Sequence, residues 1–122
     1  MSVFEDQAHF MRSCDQSVTQ YNPQQAALYL KLIDEEYNEL LNAKFEAEAA
    51  DAVIDMMVVL IGYGLSRGWP MHDLWDEVFR SNMSKLDPVT GRVIKREDGK
   101  VMKPSTYSPP DLVGVMASHR SA

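Results

Sequence analysis

Residues 22–66 read NPQQAALYLKLIDEEYNELLNAKFEAEAADAVIDMMVVLIGYGLS, and the fold follows from how this stretch divides. Asn22-Pro23 is a helix start, because Asn suits the cap and Pro the first helical position. From there Ala26, Tyr29, Leu30, Ile33, Tyr37, Leu40 and Leu41 recur at helical spacing and are expected to face a core. The helix they define should run to about Ala43. No Gly or Pro marks the next break, and a tight turn is expected over Asn42-Ala43-Lys44-Phe45. A further helix from about Ala47 to Ser66 would be roughly 30 Å long at about 1.5 Å per residue. It is apolar almost all round from Met56 onward, which predicts a buried central helix. Gly62 and Gly64 offer close packing or ligand approach, and Gly68 and Pro70 end the helix.

Outward from this hairpin, a first helix is expected from Val3 to about Val18, with Phe4, Ala8, Met11 and Val18 inward. Another should span Met71 to Lys85, where Leu74, Trp75, Val78, Phe79 and Met83 form an amphipathic stripe. That spacing makes Trp75 and Phe79 core residues rather than a stacking platform, and leaves Trp69 as the better aromatic to line a pocket. After Leu86, Pro88, Gly91, Asp98-Gly99, Pro104 and Pro109-Pro110 punctuate a segment without helical period. Val93-Ile94 and Val101-Met102 around Asp98-Gly99 predict a short hairpin. The expected fold is all-α, a bundle of four to five helices with a C-terminal extended arm or short hairpin. One domain would cover residues 1–112, helical to about 86 with the arm over 87–112, and residues 113–122 would be a loose tail.

Composition narrows the function. A chain of 122 residues forms one modest core, and helices this apolar suggest that some core is shared with another copy. A homodimer is expected first and a tetramer next. The formal net charge of -6 disfavours long nucleic acid, whose phosphates are met by Lys and Arg. A small phosphorylated ligand stays open, since a metal ion reverses local charge. The single Cys14 excludes an intrachain disulfide. The acidic N-terminal residues do not resemble a signal peptide, and the apolar run Met56 to Gly64 is too short to span a bilayer. Together these predict a cytoplasmic protein without membrane attachment.

The chemistry is expected from carboxylates. On the second helix, Glu36 and Glu39 sit about 60° apart around the axis, and Glu35 and Glu39 about 40°. On the third, Glu48, Asp51 and Asp55 lie within about 60° of one another. Such stripes are often merely solvated faces. Asp55 is less easily explained so, because it sits among Ile54, Met56, Met57 and Val58. No basic stripe matches the acids, and a hard divalent ion would relieve their repulsion. Mg²⁺ suits an oxygen-only set and keeps waters that substrate phosphates can replace. One Cys and three scattered His speak against zinc. No Glu precedes a His at the spacing that di-iron bundles use.

Glu35-Glu36-Tyr37-Asn38-Glu39 followed by Glu48-Ala49-Ala50-Asp51 resembles the EExxE…ExxD signature of all-α nucleotide pyrophosphohydrolases, the superfamily of MazG, dimeric dUTPases and phosphoribosyl-ATP pyrophosphatase. The likeness covers roughly residues 20–112 and extends through Asn82-Met83-Ser84-Lys85-Leu86 and Asp98-Gly99-Lys100-Val101-Met102-Lys103. It departs in one respect: only Leu40 to Ala47 separate the half-motifs, which leaves Asp55 able to take the role of Asp51.

The resemblance implies Mg²⁺, with Mn²⁺ able to substitute, held by Glu36, Glu39, Glu48, Asp51 and Asp55. It implies Glu35 and Glu39 as catalytic groups that orient the attacking water or accept its proton. Asn82, Lys85, Lys100 and Lys103 would contact the nucleotide. Without the resemblance, Lys85 reads as a favourable cation at a helix C-terminus, and Lys100 and Lys103 as surface lysines. The implied reaction is hydrolysis of a nucleoside or deoxynucleoside triphosphate to the monophosphate and pyrophosphate, in the service of nucleotide-pool house-cleaning. Phosphoribosyl-ATP is the alternative substrate. The competing readings are a non-catalytic helical interaction module and a di-metal redox protein.

Overall fold

The computed structural model describes residues 2–121 and gives an all-α chain with one two-stranded hairpin. Its elements are α1 (Val3–Ser13), α2 (Pro23–Leu41), α3 (Glu46–Ser66), α4 (Met71–Met83), β1 (Ile94–Lys95), β2 (Val101–Met102) and α5 (Leu112–Ser121). They form two compact units that divide after Met71.

In the first unit, α2 and α3 make an antiparallel hairpin whose layers can be followed from one end to the other. Gln25 Nε2 donates to Ser66 Oγ at 2.8 Å, and one turn on the Tyr29 ring packs on Gly62. Leu32 and Ile33 then join the core that contains Val59. Beyond them Glu36 and Glu39 face Asp55 and Asp51. Each step along α2 is matched by an equal step back along α3, which keeps the two faces in register to the Asn42–Phe45 turn. Asn22 starts α2 as expected, its Oδ1 accepting from the Gln25 N–H at 3.1 Å.

The core gathers Ala8 and Met11 of α1 with Tyr29, Val59, Ile61 and Leu65. Met11 is fully buried, so its truncation to Ala should remove about 2–5 kcal/mol. Among the described residues, α3 alone is long and apolar enough to cross a membrane; here its buried face packs on α1 and α2.

Helix ends explain the first departures from expectation. α1 stops at Ser13 rather than near Val18. Asp15 adopts a left-handed φ of 58°, and the Gln16 N–H returns to the Met11 carbonyl at 2.9 Å. This is a Schellman ending with Asp in the place usually taken by Gly. Val18 still packs against the core, but from the loop. α3 ends the same way on Gly68, with φ 72° and Trp69 N–H bonded to the Gly64 carbonyl. A Cβ at Gly68 would also press on the Thr19 carbonyl, so Gly is needed there twice over.

The expected core faces are narrower than the periodicity suggested. Leu30, Tyr37 and Leu41 are exposed on α2, and Ile54, Met57 and Leu60 on α3. Helix α3 is therefore central without being buried all round.

In the second unit, Trp75 and Phe79 are exposed at 61% and 56%, so they are not core residues of the single chain. β1 and β2 pair antiparallel around Asp98-Gly99, as the sequence predicts. The arm is tied back to α4: Ser108 N–H donates to Ser84 Oγ at 2.9 Å, and Arg80 Nη2 to the Pro109 carbonyl at 3.2 Å. The loose tail expected from residue 113 is instead helical through Ser121, with Ala122 outside the described residues. Asp111 supplies the reason, since its Oδ1 caps α5 by accepting the Gly114 N–H at 2.9 Å.

Candidate metal and catalytic site

The acidic stripes of α2 and α3 meet in the layers nearest the Asn42–Phe45 turn. Helical period aligns each stripe, and the hairpin register brings them face to face. Burial is the main cause that lifts the Glu36 carboxyl above its ordinary value. Hydrogen bonding with Glu39 and the charges of Glu39, Asp55 and Asp51 raise it further. Asp55 is raised too, by burial first, then by the charge of Asp51, a hydrogen bond with it, and the charge of Glu39. Four carboxylates from two helices thus sense one another.

A cleft of about 300 Å³ opens beside them, lined by Glu39, Asn42, Glu48 and Asp51. Glu39 and Asp51 belong to both groups and form the centre of the site. Asp51 lines the cleft, Asp55 lies one turn deeper beside Glu36, and both face α2.

Does this set suit a divalent cation? Every charged donor is a carboxylate oxygen. The Oε2 atom of Glu36 is buried without a hydrogen-bond partner. Among the described residues, no Lys or Arg forms an ion pair with any of the five acids. A buried, unpartnered carboxylate oxygen among like charges is costly, and a hard cation is the compensation its chemistry allows. Among the described residues, no three Asp, Glu, His or Cys side chains already stand close enough to hold one ion. The acids therefore fit such an ion by charge, donor type and shared location, though not yet as a closed ligand cage.

Glu35 is exposed on α2 and belongs to neither group. Asn42 was not singled out from the sequence. Its signal was its position three residues after Glu39, which continues the Glu36–Glu39 stripe into the cleft. Its Nδ2 donates to the Asn38 carbonyl at 2.7 Å, fixing the amide at the cleft edge.

The four nucleotide-contact candidates all belong to the second unit. Lys85 Nζ donates to Asn82 Oδ1 at 3.0 Å just beyond the end of α4. Lys100 lies in the hairpin turn, its N–H bonded to Asp98 Oδ1, and Lys103 sits over the Tyr107 ring at 4.8 Å. Trp69 meets Tyr63 edge-on at 5.7 Å and the Arg67 guanidinium at 5.3 Å, and the same guanidinium covers Tyr21.

Comparison with known protein families finds a match to phosphoribosyl-ATP pyrophosphohydrolase over residues 6–82. That span exceeds half of the chain. It contains both acidic stripes and ends at Asn82, leaving Lys85, Lys100 and Lys103 beyond it. No curated protein matches the chain.

Proposed function

Because the chain belongs to the phosphoribosyl-ATP pyrophosphohydrolase family, within the all-α MazG-like nucleotide pyrophosphohydrolases, we propose that it hydrolyses a nucleoside or deoxynucleoside triphosphate to the monophosphate and pyrophosphate with Mg²⁺. The observation that carries this reading is the convergence of Glu36, Glu39, Asp51 and Asp55 on one place with an unpartnered buried oxygen among them. Glu36, Glu39, Glu48, Asp51 and Asp55 would hold the metal. When bound, Mg²⁺ or Mn²⁺ would neutralise phosphate charge and lower the pKa of an attached water.

The protein's own groups do the rest. Glu39 lies both among the mutually repelling carboxylates and in the cleft, and orients the attacking water or accepts its proton. Glu35 lies outside both groups, so it takes the lesser part in this reading. Lys85 and Asn82, with Lys100 and Lys103, would engage the nucleotide.

Phosphoribosyl-ATP is the second reading, favoured by the family that matches. A panel of nucleoside triphosphates and phosphoribosyl-ATP, assayed for released pyrophosphate with Mg²⁺, separates the two. Turnover of phosphoribosyl-ATP alone would select the second, and turnover of none would defeat both.

We further place the protein in the cytoplasm as a homodimer acting in nucleotide house-cleaning. The exposed Leu30, Tyr37, Leu41, Ile54 and Leu60 support a second copy as the occupant of the hairpin's open faces. A concentration-independent monomer in sedimentation would contradict the dimer.

A further inference from the structure

We infer that Asn42 supplies a neutral oxygen, Oδ1, to the divalent cation held by the hairpin acids; the inference rests on the metal-dependent reading above. Asn42 lines the cleft together with Glu39, Glu48 and Asp51. It is the C-cap of α2 and follows Glu39 by three residues, so the two side chains are neighbours on one face.

The orientation of the amide carries the argument. Its Nδ2 donates to the Asn38 carbonyl at 2.7 Å. A carbonyl can only accept, so that partner fixes which end of the amide is nitrogen and which is oxygen. An amide beside carboxylates is expected to turn its N–H groups towards them, because they accept and it can donate. Here the donating end is turned back on its own helix, and none of the three acids accepts from it. Among the described residues, Oδ1 accepts no hydrogen bond. The end left for the cleft is thus one more oxygen in a cleft of carboxylates, an arrangement that only a cation makes favourable.

The position points the same way. The last carbonyls of a helix carry partial negative charge that a basic side chain usually meets, yet α2 has none in its last turn. Glu39 adds a full negative charge there instead. Among the described residues, no three Asp, Glu, His or Cys side chains close on one point, so an ion at Glu39 and Asp51 needs oxygen from elsewhere. Asn42 provides it without adding a further charge to the three carboxylates of the cleft, and water fills the remaining positions. The short connection over residues 42–45 makes this possible by bringing the C-cap of α2 beside the first turn of α3, where Glu48 stands.

The same amide could serve only to close the end of α2, whose last carbonyls lack helical partners. The two roles use opposite ends of the group: capping needs Nδ2, and ligation needs Oδ1. The test is Mn²⁺ binding to the full chain without nucleotide, read by EPR of the free ion. Asn42→Ala removes both ends and should weaken binding about tenfold or more, the range for losing even an outer partner of a metal site. Asn42→Asp loses the Nδ2 bond but keeps an oxygen, and should bind at least as tightly as the wild type. Equal weakening in both variants would overturn the inference in favour of the cap. Wild-type affinity in Asn42→Ala would overturn it outright. In both cases, Mn²⁺ binding and pyrophosphate release by the wild-type protein would leave the metal-dependent reading standing. A wild-type protein that binds no Mn²⁺ would bring down both. If either variant fails to fold by circular dichroism, NMR of the wild-type protein decides. With Mg²⁺ the Asn42 Cγ signal should move in step with the carboxyl signals of Glu39 and Asp51. An Asn42 Cγ that stays still while those carboxyls move would overturn the ligand.

Discussion

Glu36 in the α2–α3 hairpin and Glu77 in α4 are both helical glutamates on half-buried faces, yet the protein treats them in opposite ways. Glu77 accepts two hydrogen bonds from Arg80, each 2.8 Å, and a third from the Asp111 N–H at 2.7 Å. Arg80 first, then that backbone bond, hold its carboxyl down to about 2. Glu36 has an unpartnered buried oxygen and only other acids for company, and its carboxyl is pushed up. A fully partnered acid fastens structure: Glu77 ties the start of α5 to α4. An acid set among its own kind stores electrostatic repulsion that a cation can release. The contrast separates partnered carboxylates from mutually repelling ones more sharply than their count does.

Neutralising the hairpin acids should have the largest effect. Glu39→Gln and Asp51→Asn each remove one charge from the centre of the cluster. Pyrophosphate release is expected to fall by about 10³-fold, the upper range for loss of one preorganised electrostatic contact. Mg²⁺ binding by calorimetry should weaken in parallel. The metal-free melting temperature should hold or rise, because repulsion is relieved. Full turnover in both variants would break the comparison by making these acids ordinary surface charge.

Gly62→Ala attacks the register that brings the acids together. Its Cβ would overlap the Tyr29 ring, which is buried and cannot swing aside. A loss of about 1–3 kcal/mol is expected in denaturant unfolding. Gly64→Ala meets the flexible Met71 side chain instead and should cost less. Equal costs would mean that the hairpin layers are not the rigid element described above.

Much of this hairpin was legible in the sequence. Asn22-Pro23 marks its start and Gly68 its end, and the period of Glu36, Glu39, Glu48, Asp51 and Asp55 aligns the stripes before any coordinates are seen. The turn follows by elimination. Asp15 and Asp111 were not legible in the same way. Each takes a helix-ending or helix-starting role for which Asp is one of several permitted residues, so α1 was read too long and α5 as a tail. The outward exposure of Leu30, Tyr37 and Leu41 was hidden for a different reason. Periodicity reports which residues share a face, but not whether that face is covered by the same chain. Asn42 was hidden because an uncharged residue in an acidic stripe reads as a turn former.

Acid should move the two regions in opposite directions. The pKa values of Glu36 and Asp55 are raised on folding, so their contribution to stability is present below the unfolded value and lost as pH rises through the folded one. That of Glu77 is lowered, so its contribution is present above the ordinary carboxylate value and lost as pH falls towards about 2. Amide exchange in metal-free protein should therefore slow in α2 and α3 between neutral and mildly acidic pH. Exchange at Asp111, Gly114 and Val115 should stay protected until much lower pH. Glu77→Gln should speed exchange at those three amides several-fold at neutral pH and leave the hairpin unchanged. A parallel response of both regions would show that their acids are not in different electrostatic states.

The smallest expected effect belongs to Lys85, where two causes predict different signatures. Its ammonium donates to Asn82 Oδ1 just past the last residue of α4. In that place a cation is favourable simply because helix C-termini carry partial negative charge, a contribution of about 0.3–1 kcal/mol. If that is its whole role, Lys85→Ala lowers the melting temperature slightly and leaves KM alone. If it contacts substrate phosphate, the same change raises KM several-fold with kcat nearly constant, the signature of lost uniform binding. Asn82→Ala sharpens the choice: it frees the ammonium without removing it, so the phosphate role predicts a smaller KM change than Lys85→Ala. The capping role predicts no KM change in either variant. We expect the KM response.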